Sequence, residues 1–310
     1  MNKKILAAVV TVVVAGGSLF AGGVGTTGAQ FLKIGPSARA LGMGGAFGAI
    51  ADDVYGLYFN PSGIAAMEKT EVSATYLKYF AEITYTYLGF VNPNTQFGAI
   101  GLGITNLGIT DIERRDADTV AAIDTFGATD MAITLAWAKK NAVPGLLKDT
   151  SLGVSLKSIT SKIDTKSAGA IALDLAATHK VSKKLNTALV IQNVSGGIKF
   201  DKESDPLPLN VKLAGAYKFN EKALAAVDLD QGISDGKMYA SLGGEYWIVK
   251  QFAVRLGYKY GYSTATLGST VGLGVGIGFR MWEAGLDYAF VPFGDLGDTH
   301  RVSLSYRFGK

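Results

Sequence analysis

From residue 70 to the end of the chain, apolar side chains recur at every second position. A period of two is typical of β-strands with two different faces, whereas a helix repeats about every 3.6 residues. Fourteen segments carry this pattern: 70-80, 82-92, 95-109, 129-140, 150-163, 166-181, 184-193, 207-219, 221-232, 237-249, 251-262, 269-280, 281-291 and 299-308. The chain is therefore predicted to be all-β from residue 70 onward.

The links between these segments alternate in length. Every second link is tight, such as 182–183 and 220–221, while the intervening links include long polar ones such as 110–128 and 195–206. Short turns at one rim and long loops at the other are the layout of bacterial outer-membrane barrels, which have an even number of strands. We predict a transmembrane antiparallel up-and-down β-barrel of about 14 strands rather than a soluble β-sandwich. Aromatic residues crowd near the strand ends, as in interfacial girdles.

Composition excludes several classes of function. The 310 residues include 40 Gly, no Cys, two His and a net charge of +4, part of which lies in Lys3 and Lys4. Without Cys there are no disulfides or thiolate metal ligands, and the weak basic balance gives no support to nucleic-acid binding. Neither a phosphate-binding loop nor a His-Glu-x-x-His motif is present. We expect no enzyme activity, no cofactor and no metal site.

The N-terminus has the pattern of a secretory signal peptide. Lys3 and Lys4 precede an apolar run at residues 5–14, and small residues follow. We predict a signal peptide at residues 1–21, with cleavage after Ala21 or as late as Ala29. A membrane-anchoring helix is the alternative, but the run is shorter than the roughly 20 residues that span a bilayer.

Residues 30–68 differ from the rest because the alternation is absent and turn residues are frequent. Eight strands already close around packed side chains, whereas ~16 leave a channel, so a 14-stranded barrel needs something to occupy its lumen. We predict that residues 30–68 form a plug inside a barrel at residues 69–310. Glycines at 272, 274, 276 and 278 would face it, or would only relieve strand curvature. Ser37 could cap a short turn of helix.

Five acidic residues face the lumen by alternation, and we expect water or the plug to solvate them: Asp174, Asp228, Asp230, Glu245 and Asp287. We also expect Asp52 and Asp53 of the plug to face inward basic groups such as Arg255 or Lys212.

Four short runs in this segment carry a specific resemblance: Phe-Leu-Lys-Ile-Gly-Pro-Ser-Ala-Arg-Ala at 31–40, Met-Gly-Gly-Ala at 43–46, Ala-Asp-Asp at 51–53 and Tyr-Phe-Asn-Pro-Ser-Gly at 58–63. Together they resemble the PorV/PorQ family, which belongs with the FadL-like long-chain fatty-acid transporters. In that superfamily the plug carries an Asn-Pro-Ala motif, and Ser62 replaces the Ala here. The resemblance implies these plug-motif residues: Arg39, Asp52, Asp53, Asn60, Pro61, Ser62 and Gly63.

The resemblance leaves two functions open. PorV implies a type IX secretion component that receives or delivers exported cargo, with a translocon and cargo C-terminal domains as partners. FadL implies a passive channel for hydrophobic small molecules such as fatty acids. A purely structural barrel is the third alternative. Each implies the outer membrane of a Gram-negative-type bacterium, contact with its lipid, both mature termini in the periplasm, and a C-terminal strand read by the barrel-assembly machinery. Gly309 and Lys310 follow the aromatic residue that usually ends such a strand.

The strand at 95-109 changes phase, because apolar Ile104 is followed three positions later by apolar Leu107. A bulge there would restore the register. In FadL-like proteins the corresponding strand is kinked to form an opening in the wall, so we predict a lateral opening at Ile104, Thr105, Asn106 and Leu107. Alternatively, the strand leaves the bilayer near Asn106.

Overall fold

The computed structural model describes residues 27–79, 82–116, 118, 121–144 and 148–309; the predicted signal peptide, 1–21, lies outside these ranges. The predicted fold is confirmed, since fourteen antiparallel strands close into a barrel and each pairs with its neighbours. They are β1 (Thr70–Lys78), β2 (Thr84–Thr95), β3 (Gly98–Arg114), β4 (Asp124–Lys140), β5 (Thr150–Ile163), β6 (Lys166–Lys180), β7 (Leu185–Val194), β10 (Asn210–Lys218), β11 (Ala223–Gly232), β12 (Met238–Val249), β13 (Phe252–Tyr260), β14 (Leu273–Met281), β15 (Ala284–Pro292) and β16 (Asp298–Phe308). A separate hairpin pairs β8 (Ile198–Lys199) with β9 (Ser204–Asp205).

The two faces of the wall differ as the alternation predicts. Outward positions carry exposed apolar side chains, such as Leu256 at 60% and Leu304 at 56% exposed. Inward positions carry small or charged residues that are buried, among them Arg255 and Asp287. An apolar outer band with a polar interior is the arrangement of membrane barrels. Among the described helices, none has the length and apolarity to cross a membrane.

The wall is uneven in height. Strands β3 to β6 have 14 to 17 residues, whereas β10 to β16 have 9 to 12. The predicted loop at 110–128 is partly strand, because Ile112 pairs with Phe126 and Arg114 with Asp124 beyond a register shift. At the opposite rim, Thr70 pairs with Phe308, so β1 begins beside the end of β16.

Residues 30–68, hereafter the inner segment, contact inward-facing side chains of the barrel strands. The segment contains a 3-10 turn (Gln30–Lys33), α1 (Ala38–Gly42), α2 (Gly56–Phe59) and a second 3-10 turn (Pro61–Ala66). Its hydrogen bonds reach the inward faces of strands on all sides of the barrel, from β1 and β2 through β6, β7, β11 and β12 to β16. The Ser37 side chain accepts a hydrogen bond from Ala40 N at 3.1 Å, so the predicted helix cap is confirmed. Elsewhere α3 (Thr264–Leu267) and a 3-10 turn (Gly294–Leu296) lie in loops.

Glycines let the inner segment touch the wall backbone to backbone. A Cβ on Gly276 would meet the Cα of Gly42 at 3.1 Å, and one on Gly257 would collide with the backbone of Met43 and Gly44. Gly274 and Gly276 therefore admit the segment as predicted. Of the other two predicted glycines, Gly272 precedes β14 and approaches Lys259, and Gly278 approaches Arg255 and Asp287. If those glycines alternate with lipid-facing residues, Val271 and Val275 should both face lipid, but Val271 is fully buried and precedes β14.

Candidate functional site

A buried ion cluster joins the inner segment to the wall. Arg39, on α1, donates from Nε and Nη2 to the two carboxylate oxygens of Glu245 on β12, at 2.8 and 2.9 Å. Its Nη1 donates to Asp52 at 2.6 Å and to Asp53 at 3.2 Å. Because a bidentate arginine–carboxylate pair has a defined geometry, this cluster fixes the orientation of α1 as well as its position.

The cluster continues along the wall. Arg255 Nε donates to Glu245 at 2.7 Å, and Arg255 Nη1 donates to Asp287 at 2.7 Å. Arg280 Nη2 donates to the other oxygen of Asp287 at 2.7 Å. The ion pairs thus run from the inner segment across the four neighbouring strands β12 to β15. These carboxylates face inward as predicted. Of the two expected environments, water or the plug, Glu245 meets the inner segment through Arg39, whereas Asp287 pairs with Arg255 and Arg280 of the wall.

The expected partners of Asp52 and Asp53 are also wrong. Neither pairs with Arg255 or Lys212, because Arg39 of the same segment lies between them and the wall. Burial raises the pKa of Asp53 to about 7, against the opposing effect of Arg39. For Arg39 itself, burial lowers the pKa, but Asp52 and Glu245 raise it by more, so it lies well above the ordinary value. Arg39 therefore stays charged as the centre of the cluster.

The Asn-Pro-Ser-Gly run forms a second group, on the other side of the lumen. Asn60 Oδ1 accepts from Ser62 N at 3.0 Å, and Asn60 Nδ2 donates to Gly48 O at 2.6 Å and to Thr178 of β6 at 2.8 Å. Pro61 begins the 3-10 turn. Gly63 packs so closely on the Ala51 backbone that a Cβ would collide. The motif folds the segment back on itself and attaches it to β6.

Gly48 links the Asn60 group to β11. While its carbonyl accepts from Asn60, its N–H donates to Asp228 of β11 at 2.9 Å. Asp228 also pairs with Lys212 at 3.0 Å, and Lys212 lies 3.3 Å from Asp230. The predicted plug-motif residues therefore form two anchors, Arg39 with Asp52 and Asp53, and Asn60 to Gly63, and the backbone of Gly48 ties the second of them to β11.

Between these anchors and β2 to β6 the packing is apolar. One cluster contains Val54, Leu57, Ile64, Tyr85 and Tyr87, all buried. A cavity beside it, of about 10 Å³, is lined by Phe31, Leu32, Leu57, Tyr58, Tyr87, Thr105, Ala132, Thr134 and Lys157. A single water needs ~10 to 15 Å³, whereas sites for small organic ligands measure about 300 to 1,000 Å³. The cavity is too small for such a ligand in this conformation.

The bulge predicted between Ile104 and Leu107 does not form there, and β3 shifts register with β4 only further on, between Ile109 and Ile112. Pairing with β2 is continuous from Ile100 to Gly108, and pairing with β4 is continuous from Ala99 to Ile109. The phase change has another cause: Leu107 faces inward and packs against the apolar clusters around the inner segment. The opening expected at Ile104, Thr105, Asn106 and Leu107 stays a prediction, without the bulge that motivated it.

The wall is interrupted instead between β6 and β7. Their pairing covers Leu173 to Lys180 with a register shift at Leu173/Leu175, so the upper part of β6 (166–172) pairs with β5 and not with β7. At the shift, Asn193 has φ 62° and its N–H donates to Asp174 Oδ1 at 2.8 Å. Lys157 bridges both residues, at 2.8 Å to Asn193 Oδ1 and 2.7 Å to Asp174 Oδ2. Sequence alternation gave no signal for this break, because both strands keep their period.

From the sequence, the charged wall residues that pair with the inner segment could be predicted only to face inward. Which of them pair with it depends on strand register and on where the segment lies. No group of three or more His, Asp or Glu side chains suited to a metal ion occurs in the part of the chain that the structure describes.

Comparison with known proteins agrees with this architecture. The family model described as Type IX secretion system protein PorV matches residues 22–234, more than half of the chain. None of the curated proteins matches the sequence.

Solved structures share the fold at low sequence identity. The Pseudomonas putida toluene transporter TodX has a TM-score of 0.65 at 12% identity, covering 89% of this chain and 99% of that one. A Pseudomonas aeruginosa FadL homologue gives 0.63 at 12% identity, covering 88% and 98%. The Ralstonia pickettii toluene transporter TbuX gives 0.61 at 14% identity, covering 89% and 98%. The chain thus has the fold of a FadL-like outer-membrane β-barrel.

Proposed function

From the premise that this chain belongs to the PorV family of type IX secretion system proteins, we propose that it is an outer-membrane component that receives or delivers exported cargo. Its partners are then a secretion translocon and the C-terminal domains of cargo. The barrel is the membrane-embedded part, and proteins bind at its rims or outer surface.

One observation supports this proposal over transport through the lumen: buried ion pairs attach the inner segment to the inward face of the wall. Arg39 and Glu245 form a bidentate pair, and the backbone of Gly44 lies against Gly257. Moving the segment aside would separate buried charges, and breaking a buried pair costs about 3 to 5 kcal/mol. A lumen closed in this way suits a protein that binds partners. It does not suit a protein that conducts solutes.

The same proposal includes export and orientation. A signal peptide at residues 1–21 directs the chain out of the cytoplasm, and both mature termini lie in the periplasm. In support, β1 begins where β16 ends, at the rim that carries short turns such as those near 220–221 and 250–251. In membrane barrels the short turns are periplasmic.

A second candidate function is lateral passage of a hydrophobic small molecule. The break between β6 and β7 favours it, because buried Ile159, Ala168, Ala172, Ile198 and Leu207 form an apolar cluster beside the unpaired part of β6. A ligand entering there would meet apolar side chains before it reached the anchors of the inner segment.

Deleting the gene in its source bacterium distinguishes the two functions. We expect proteins with C-terminal sorting domains to accumulate in the periplasm with those domains uncleaved, while uptake of radiolabelled toluene and oleate stays unchanged. The full-length gene supplied on a plasmid should restore surface delivery. Normal surface delivery together with lower uptake would reject the secretion proposal in favour of the channel.

A further inference from the structure

The rim of short turns carries an excess of positive charge on one side of the barrel. Four turns that follow one another along this rim join β4 to β5, β6 to β7, β10 to β11 and β12 to β13. These turns and the strand ends beside them, hereafter the basic rim, oppose nine positive charges by only two negative ones, Asp149 and Glu221, which leaves +7. All nine lysines are exposed: Lys139, Lys140, Lys148, Lys180, Lys183, Lys184, Lys218, Lys222 and Lys250. Such a surface attracts anionic groups.

Ion pairs within the chain leave most of this charge unbalanced. Lys218 lies 3.2 Å from Glu221. The other eight lysines have no carboxylate oxygen within 4.0 Å in the part of the chain that the structure describes. The basic rim is therefore free to bind an anion from outside the chain.

An apolar groove lies on the outer wall beside two of these lysines. It measures about 350 Å³, and Phe219, Ala223, Tyr246, Val254 and Leu256 are among the residues that line it. Ala223 of β11 pairs with Tyr246 of β12, which pairs with Val254 of β13, so the three side chains share the lipid-facing side. The groove forms because Ala223 is small, while Phe219, Tyr246 and Leu256 are large and exposed.

The groove has the size of a ligand site and lies next to the charge. Sites for small organic ligands measure about 300 to 1,000 Å³. Lys222 directly precedes Ala223, and Lys250 lies four residues beyond Tyr246. An apolar groove with ammonium groups at its end matches a molecule that has an apolar chain and an anionic head.

We propose that an anionic phospholipid binds here, with one acyl chain in the groove and its phosphate at Lys222 and Lys250. The lipid belongs to the periplasmic leaflet, because the short turns of membrane barrels face the periplasm. The acyl chain gains from contact with apolar side chains, and lysines near a membrane surface attract anionic headgroups. An acidic protein would match the charge of the basic rim but would leave the lipid-facing groove without a use.

This binding site is independent of the proposed secretion role. The groove lies on the outer face of β11 to β13, whereas Arg39 and Glu245 attach the inner segment to the inner face. A barrel that delivers cargo and a barrel that conducts solutes could each hold the lipid.

Native mass spectrometry of the purified full-length protein in uncharged dodecyl maltoside micelles tests the proposal. The protein should retain dioleoyl phosphatidylglycerol, which is anionic. Dioleoyl phosphatidylcholine has the same chains without net charge and should bind about tenfold more weakly. Phosphatidylglycerol should also raise the unfolding temperature, because a ligand that binds only the folded state stabilises it. Glycerol 1-phosphate, a head without chains, should not raise it.

Two variants separate the contribution of the head from that of the chain. Lys222→Met combined with Lys250→Met should remove the preference for phosphatidylglycerol over phosphatidylcholine. Ala223→Leu should fill the groove and weaken retention of phosphatidylglycerol about tenfold, because it excludes part of the acyl chain, while the charge of the basic rim is unchanged.

Each variant has a matched control elsewhere on the barrel. Lys162→Met combined with Lys166→Met removes two exposed lysines at the opposite rim. Ala284→Leu makes the same enlargement at an exposed position on the outer face of β15. Both controls should retain phosphatidylglycerol like the unmodified chain.

Four results would overturn the proposal. Equal retention of the two lipids by the unmodified protein would exclude anionic selectivity, and unchanged selectivity in the two-lysine variant would place the head elsewhere. Full retention by folded Ala223→Leu would show that the groove holds no chain. Stabilisation by hexaglutamate but not by phosphatidylglycerol would assign the basic rim to an acidic protein. A heat-modifiable gel shift checks that each variant is folded, and Ala223→Val, a smaller change, gives the comparison if Ala223→Leu does not fold.

Discussion

The inner segment contacts the barrel in two different ways on its two sides. Toward β10 to β16 the contacts are ion pairs and glycine backbones, with Arg39 on Glu245 and Gly42 on Gly276, and three small apolar clusters built largely from alanine. Toward β1 to β6 they are mainly apolar side chains and hydroxyls, with Leu57 and Ile64 in a continuous cluster, and one close backbone contact at Gly153. The charged, glycine-rich side permits one position of the inner segment, because ion pairs and backbone contacts depend on direction. The apolar side permits small changes of position, because apolar groups can repack.

This difference assigns separate tasks to the two sides. Burial on the apolar side supplies attraction that depends on area and not on angle. Buried ion pairs often add little net stability relative to apolar replacements, but losing one partner is costly. We therefore expect the charged, glycine-rich side to determine where the segment lies, and the apolar side to determine how firmly it is held.

The largest effect should come from Gly257→Val on the glycine side. Valine suits a strand, but its Cβ would collide with the backbone of Met43, which cannot move by a rotamer change. We expect loss of more than about 4 kcal/mol of unfolding free energy, or an undocked inner segment that trypsin cleaves. Gly244→Val is the matched control, because its Cβ would meet only Leu224 O at 3.6 Å. Equal stability of the two variants would contradict the close-approach account.

Glu245→Gln should have the next largest effect. It removes the charge shared by Arg39 and Arg255, so we expect a loss of about 3 to 5 kcal/mol in urea unfolding from liposomes. The control, Glu283→Gln, breaks an exposed pair with Lys69 and should cost at most about 1 kcal/mol. If the two variants lose similar amounts, the ion cluster does not orient the segment.

Ile64→Val tests the apolar side and should have the smallest effect. Ile64 is fully buried between the segment and the wall, and removing one methylene costs about 0.5 to 1.5 kcal/mol. The protease resistance of the segment should be unchanged, because its position does not depend on this contact. Release of the segment in this variant would show that the apolar side also determines position.

The barrel could be predicted from the sequence because alternation and link lengths are local properties. The fourteen strands, their antiparallel order and the inward direction of Asp174 and Glu245 all follow from a period of two. The same alternation predicted the inward-facing glycines at 272–278. It did not predict that the strand begins only after Val271.

The pairing of charges could not be predicted, because it depends on strand register and on how residues 30–68 fold back. Asp52 and Asp53 contact Arg39 through a turn that the alternation does not encode. The prediction of a bulge between Ile104 and Leu107 was wrong for a related reason. Leu107 is apolar because it faces the inner segment, and a pattern based on lipid-facing residues cannot identify apolar residues that face inward.

Single-channel recording in planar bilayers tests most directly whether the inner segment closes the lumen. The unmodified protein should show low conductance, and a variant lacking residues 32–66 should form a stable open pore, with a heat-modifiable gel shift confirming that its barrel is folded. Gly244→Val should record like the unmodified protein. Conductance that is unchanged by the deletion, in a folded barrel, would contradict the account.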